Sequence, residues 1–230
     1  MSGIRQYLRN LEHSLPNALQ RSLIRVARDT PYSPEYEATR SIFIHIPKTA
    51  GTSVGEAIYG RWVGHVPISR FVAFDASKSE SFFKFSFVRN PWDRLLSGFA
   101  HLKGEGEPLA IPEREWSKRY LGEIESFENF VLKLRDEGFR KLIINDIHFR
   151  PQMDWITLRS RSRIAVDYLG RFESLDDDFS RLAQRLGVTA ELPLRKQTKR
   201  PPYRDAYSKE MRRIAEQIFR RDIERLGYSF

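Results

Sequence analysis

Apolar residues fall along the chain in two rhythms. Residues 42–46, "IFIHI", and 82–88, "FFKFSFV", are short, nearly unbroken apolar runs. Runs of that length suit strands buried on both faces. A third strand is predicted over 164–173, "IAVDYLGRFE". Helical spacing fills the intervals. One helix begins within 53–60. A second starts at "NPWDRLLSGFAHLK", with Asn90 as cap, Pro91 in the first helical position and Asp93 in the first turn. A third covers 126–137 and is closed by Gly138. A fourth covers 174–187, with Ser174 as cap and Gly187 as stop. The last covers 208–227 and ends at Gly227. Strands alternating with helices predict an α/β fold: a parallel sheet flanked by helices.

Residues 1–40 read differently. Ile4, Leu8, Leu11, Leu19, Leu23 and Ile24 keep a helical period that Pro16 interrupts, with arginines on the polar face. This predicts an N-terminal helical arm, packed on the domain or resting on a membrane surface. The loop "DTPYSPEYEATR" then leads into a single domain over 41–230. No apolar run approaches the ~20 residues of a membrane span. The first twenty residues also lack the apolar stretch of about 7–15 residues that marks a secretory leader. A cytoplasmic location is the resulting expectation.

Composition narrows the chemistry. The chain has no cysteine, which removes disulfides, Cys-ligated zinc and thiol catalysis. Its net charge is +9, and residues 195–225 carry eleven Lys/Arg against five Asp/Glu. Such a balance favours an anionic partner: a nucleotide, a polyanionic sugar, nucleic acid or a membrane surface. A solvated basic helix explains the same charges without any partner.

The strand at 42–46 runs into "PKTAGTS", residues 47–53, and then a helix. The first amides of a helix have no internal partner and sit at the positive end of its dipole, so this junction suits an anion. Thr52 and Ser53 add hydroxyls, Gly51 permits close approach, and Lys48 adds a mobile charge. The order differs from G-x-x-x-x-G-K-[ST], because Lys48 precedes the glycine. No apolar strand ends in an Asp suited to magnesium, which disfavours a kinase or ATPase. A second junction, "FVRNPWDRLLSGF" at 87–99, places Arg89 at a strand end. Ser97 lies two helical turns past the Asn90 cap, on the same side. Arg89 can hold a phosphate in its fork while Ser97 donates a hydroxyl.

These two stretches resemble the cofactor motifs of sulfotransferases that use 3′-phosphoadenosine 5′-phosphosulfate (PAPS). They look most like the carbohydrate branch that includes the heparan 2-O- and chondroitin sulfotransferases and many bacterial relatives. "HFRPQMDWI" at 148–156, "VDYLGRFESLDDDF" at 166–179 and the C-terminal "YRDAYSKE" to "DIERLGYSF" agree with it. The resemblance runs from about residue 41 to the end. It implies a P-loop-like sulfotransferase fold. Lys48, Thr49, Ala50, Gly51, Thr52 and Ser53 would hold the 5′-phosphosulfate. Arg89 and Ser97 would hold the 3′-phosphate, with Arg171 and Phe172 on the nucleotide side. No metal is implied, and the product would be the bisphosphate PAP. The loop "LPLRKQTKRPPY" departs from the family's Asn and Ser ahead of the Tyr. Lys196 and Thr198 stand there instead, with Thr198 as the residue able to reach the cofactor.

Sulfuryl transfer requires in-line attack by a hydroxyl, positioning and charge stabilisation. Lys48 would neutralise the leaving oxygen, and a histidine would take the proton. His65 resembles the base of the heparan 2-O branch and is favoured. His148, with Arg150 and Gln152, could instead line the acceptor groove or serve as base. Glu56 is the carboxylate alternative, since other branches use a Glu near this position. His45 reads as structural, His101 as a helix-end residue, and His13 as a surface residue of the arm. Trp62, Trp116 and Trp155 could stack on sugar rings, while Trp92 packs beneath its helix. The expected acceptor is a carbohydrate or glycolipid rather than nucleic acid. A nucleotide kinase and a non-catalytic polyanion-binding module are the competing readings.

Overall fold

The computed structural model describes residues 30–105, 108–158, 163–193 and 202–230. The arm expected over 1–40 lies outside them except for its last residues, as does Thr198. Three parallel strands form the sheet: β1 (Ser41–Ile44), β2 (Phe83–Val88) and β3 (Tyr168–Arg171), in the order β1-β2-β3. Phe43 pairs with Phe85, and Phe87 with Gly170. Ile42, Phe43, Ile44, Phe85 and Phe87 are all at most 1% exposed. Burial on both faces explains the continuous apolar run of β1, whereas β2 carries Lys84 and the buried Ser86 between its phenylalanines. Gly170 is required at its place, because a Cβ there would lie 2.4 Å from the Phe87 ring.

Helices connect and cover the strands. Between β1 and β2 lie α2 (Gly51–Tyr59), α3 (Ile68–Phe74) and α4 (Ala76–Ser81). After β2 come α5 (Pro91–Leu102), α6 (Ile111–Leu121), α7 (Phe127–Lys133), α8 (Glu137–Asn145) and α9 (Met153–Ile156). After β3 come α10 (Leu175–Leu186), α11 (Lys209–Ile218) and α12 (Arg220–Leu226). The core has two parts. One surrounds the sheet, and the other packs α5 against Phe130, Phe149, Met211 and Phe219. No helix among the described residues is long and apolar enough to cross a membrane.

Several local expectations are corrected. The loop before β1 contains a helix, α1 (Pro34–Thr39), because Ser33 caps it and Pro34 suits its first position. The helix of 126–137 is really α7 and α8, and Gly138 sits inside α8. Asp136 accepts from the amide of Phe139 at 2.6 Å and starts a new helix there. The third strand is shorter than 164–173, with Ile164 held in an isolated antiparallel bridge to Thr157. Ser174 does not cap α10, since its hydroxyl donates to Asp178 Oδ2 at 2.7 Å. The final helix of 208–227 breaks at Phe219 (φ −103°, ψ 21°). The break turns α12 so that Asp222 reaches the amides of Gln152 and Met153 at 2.7 and 3.0 Å. Asn90, Gly187 and Gly227 terminate their helices as the sequence indicates.

Candidate active site

The C-terminal ends of all three strands converge on one region, the edge where open parallel sheets bind ligands. After β1 the chain turns through Lys48 (φ 70°) and Ala50 (φ 64°). Both are left-handed without being glycine, and Thr49 between them is not. Alternating backbone hand turns successive N–H groups toward one concave side, a nest that favours an anion. Non-glycine residues hold such conformations only where the surroundings impose them. Two contacts do so here. Thr49, fully buried, donates its hydroxyl to the carbonyl of Ile46 at 2.9 Å. Buried Arg94 donates from Nε to the carbonyl of Pro47 at 2.9 Å and from Nη1 to that of Arg150. Burial pushes the Arg94 guanidinium down to about 10. The hydroxyl of Thr49 therefore builds the turn. The cap residue Ala50 makes no side-chain hydrogen bond, and the first turn of α2 carries no acidic residue.

Gly51 also has a packing role that its sequence position does not suggest. A Cβ at Gly51 would lie 2.0 Å from Cδ2 of His45. The glycine makes room for this imidazole, which stacks on Phe43 with ring centroids 5.3 Å apart. His45 Nδ1 lies 2.8 Å from the carbonyl of Val63. A carbonyl only accepts, so Nδ1 carries the proton and donates. Burial lowers the His45 pKa to about 4, so the ring is neutral. Gly98 is small for a similar reason, since a Cβ there would be 2.9 Å from the Phe149 ring.

The second junction is organised around Arg89, which is 6% exposed. Its Nε donates to Asp93 Oδ2 at 2.7 Å. Its Nη1 donates to the Lys48 carbonyl at 3.0 Å and to Ser97 Oγ at 3.2 Å. The guanidinium carbon stands 3.8 Å above the Phe172 ring. The structure thus joins Lys48, Arg89, Ser97 and Phe172 directly. Gln152, fully buried, clamps the Arg89 backbone: Oε1 accepts from its amide at 2.9 Å, and Nε2 donates to its carbonyl at 2.8 Å. Asn90 caps α5 through Oδ1 and donates from Nδ2 to Tyr203 Oη and the Ser229 carbonyl. Arg171 is directed elsewhere. It donates to the Leu226 carbonyl at 2.5 Å and lies 4.6 Å over Tyr228, tying the C-terminus to β3.

Two histidines flank this region in unlike settings. His65 Nδ1 donates to the His45 carbonyl at 2.8 Å, which leaves Nε2 as the lone-pair nitrogen. Burial first, then the neighbouring His45, hold the His65 pKa well below its ordinary value. His148 is 4% exposed and has a carboxylate at each ring nitrogen: Asp146 Oδ1 at 3.0 Å from Nδ1, and Glu113 Oε1 at 3.2 Å from Nε2. Burial opposes its charge, but the hydrogen bonds to Asp146 and Glu113 outweigh that and raise its pKa. Glu56 is half-buried on α2.

The aromatic candidates separate by exposure. Trp155 is 1% exposed and Trp92 2%, so both are core. Trp116 is half-buried against Tyr120 and Phe149. Trp62 is 51% exposed, with its ring 5.8 Å from that of His65. Residue types and local order single out Lys48, Arg89 and Ser97, while His65 is singled out by the family resemblance. The tertiary partners Arg94, Gln152 and Asp222 carried no local signal for these roles.

The fold and these junctions define an α/β protein with adjoining anion-receptive turns on one sheet edge. A family model described as "Sulfotransferase family" matches residues 67–229, and the chain belongs to that family. It is therefore a sulfotransferase-family transferase. The matched span includes Arg89, Ser97, His148, Arg171 and Phe172 and begins just after His65. The chain is also 25% identical over 116 residues to an uncharacterized protein of Archaeoglobus fulgidus, covering 50% of this chain and 77% of the relative. No solved structure matches it.

Proposed function

We propose that this protein transfers a sulfuryl group from PAPS to a hydroxyl of a carbohydrate or glycolipid, as in the carbohydrate sulfotransferase branch. The observation that carries the reading is the bond from Arg89 to the Lys48 carbonyl, which joins two anion-receptive strand-to-helix junctions side by side. A donor with a phosphosulfate at one end and a 3′-phosphate at the other needs two such sites. The turn over 47–50, with the amides of Gly51, Thr52 and Ser53, holds the 5′-phosphosulfate through the α2 N-terminus. Arg89 and Ser97 hold the 3′-phosphate, and Phe172 supports the guanidinium from below.

His65 is the base. Its Nε2 accepts the acceptor hydroxyl proton as that oxygen bonds to sulfur. The bond from sulfur to the phosphate oxygen breaks, and Lys48 meets the charge left on that oxygen. The His45 carbonyl fixes the tautomer, as the base-orienting partner does in other proton-transfer sites. His148 is less suited to this role, because both of its ring nitrogens face carboxylates. Glu56 remains the carboxylate alternative on α2. Trp62, exposed beside His65, offers a flat apolar face to a sugar ring.

Calorimetric titration with PAP, beside Mg·ATP, tests the donor site. Binding of PAP without magnesium that is lost in Arg89→Ala supports the reading. Preference for Mg·ATP, or no binding of PAP, sinks it. Mass spectrometry of candidate saccharides incubated with PAPS and enzyme then identifies the acceptor.

A further inference from the structure

Beside the two strand-to-helix junctions, three metal-ligating side chains from distant parts of the sequence meet. His101 stands in the last turn of α5, Glu113 in the first turn of α6, and His148 in the segment after α8. Glu113 Oε1 lies 3.2 Å from His148 Nε2 and 3.7 Å from His101 Nε2. All three donor atoms lie within 4.8 Å of one another. A tetrahedral zinc with ligand bonds of about 2.0–2.2 Å sets neighbouring ligand atoms about 3.3–3.6 Å apart. The two contacts made by Glu113 bracket that spacing, and the two histidine nitrogens, within 4.8 Å of each other, would have to close toward a shared ion.

The surroundings are those of a supported ligand set. Asp146 Oδ1 accepts from the His148 backbone amide at 2.9 Å and meets Nδ1 at 3.0 Å. A carboxylate on the far nitrogen of a ligating histidine fixes its tautomer and ring orientation. His148 is buried, while the side chains of His101 and Glu113 keep 17% and 28% of their exposure, which gives an ion a path inward. We propose that His101, Glu113 and His148 form a binding site for a zinc-type divalent cation, with Asp146 positioning His148. Two imidazoles and one carboxylate favour zinc over magnesium or calcium, which prefer all-oxygen shells. Three protein ligands leave a further position open.

Such an ion would tie α6 to the helix that carries Ser97, one turn before His101. It would brace the wall next to the donor site, since His101 and Ser97 share one helix. The proposal does not depend on the reaction assigned above, because none of the three ligands holds the donor.

The test is calorimetric titration of the tag-free, chelator-stripped protein with zinc sulfate, followed by thermal melts with and without zinc. Wild type is expected to bind one zinc per chain and to melt at a higher temperature with it. His101→Ala and Glu113→Gln should each abolish that binding. Asp146→Asn should weaken it by about 10–100-fold. His101 is partly exposed at a helix end, so its variant is expected to stay folded, which circular dichroism checks. Absence of zinc binding by wild type would overturn the proposal. So would binding that survives both His101→Ala and Glu113→Gln, or an equal preference for magnesium.

Discussion

Arg89 Nη1 donates to the carbonyl of Lys48 at 3.0 Å across 41 residues of sequence. The same nitrogen reaches Ser97 Oγ at 3.2 Å, while Asp93 holds Nε. One guanidinium thereby sets the spacing between the turn after β1 and the helix after β2. Each junction alone is an ordinary strand-to-helix turn. Linked in this way, they form the platform on which the proposed donor would rest both of its anionic groups.

Replacing Arg89 tests that platform. Lysine keeps the charge but not the fork, so Arg89→Lys should weaken PAP binding nearly as much as Arg89→Ala. Hydrogen bonds to charged groups contribute about 1.5–3 kcal/mol, so the loss in affinity should be about tenfold to a hundredfold. Calorimetry gives the constants. An Arg89→Lys protein that binds PAP like wild type would remove Arg89 from the donor site.

Gly51→Ala is a test of packing. The added Cβ meets the buried His45 ring, which has Phe43 on one side and His65 nearby. Overpacking of this kind costs about 1–3 kcal/mol. Combining it with His45→Ala should cost less than the sum of the two single changes, because the clash is then gone. Urea denaturation of the four proteins provides the cycle, and strict additivity would contradict the contact.

The sheet was legible because β1 and β2 are short, rich in Ile and Phe, and bounded by turn residues, which separates them from buried helix segments. Asn90, Gly187 and Gly227 were legible because caps act locally. Lys48, Arg89 and Ser97 stood out because their spacing fits a junction built from adjacent residues. What stayed hidden depends on distant partners. Gln152 clamps Arg89 from 63 residues away, and Asp222 holds the Gln152 amide from 70 residues away. Burial pushes the Asp222 carboxyl up to about 6 even with two amides donating to it. Nothing near position 222 in the sequence signals that role. The packing role of Gly51 was hidden for the same reason, since its neighbour in space is the His45 ring.

His45 also makes a prediction for acid stability. Its pKa is about 4 in the folded protein against 6.5 as the ordinary value. Between those values the unfolded chain binds more protons, so stability rises with pH and falls as pH drops from 6.5 toward 4. At about 1.36 kcal/mol per unit, the loss from this residue approaches about 3 kcal/mol. His45→Gln should flatten that part of the profile. Urea midpoints across pH 4–7 measure it, and an unchanged slope in the variant would place the titration elsewhere.

The assignment of His65 as base rests on a tautomer, and kinetics can read it. Its Nδ1 proton is held by the His45 carbonyl, so Nε2 is available whenever the ring is neutral. Burial and His45 keep the folded pKa well below 6.5, so protonation begins only in acid. The value of kcat/KM for sulfuryl transfer should therefore stay level from neutral pH down past the ordinary histidine range. It should fall only at lower pH, where acid loss of the fold must be separated by circular dichroism. His65→Ala should lower kcat by about 10²–10⁴-fold and leave PAP affinity unchanged, since the proposed base would touch the acceptor and not the phosphates. The same change at Glu56, as Glu56→Gln, should leave kcat within a few-fold of wild type. A large kcat loss in Glu56→Gln with little in His65→Ala would transfer the proton to the carboxylate and leave His65 as packing against His45.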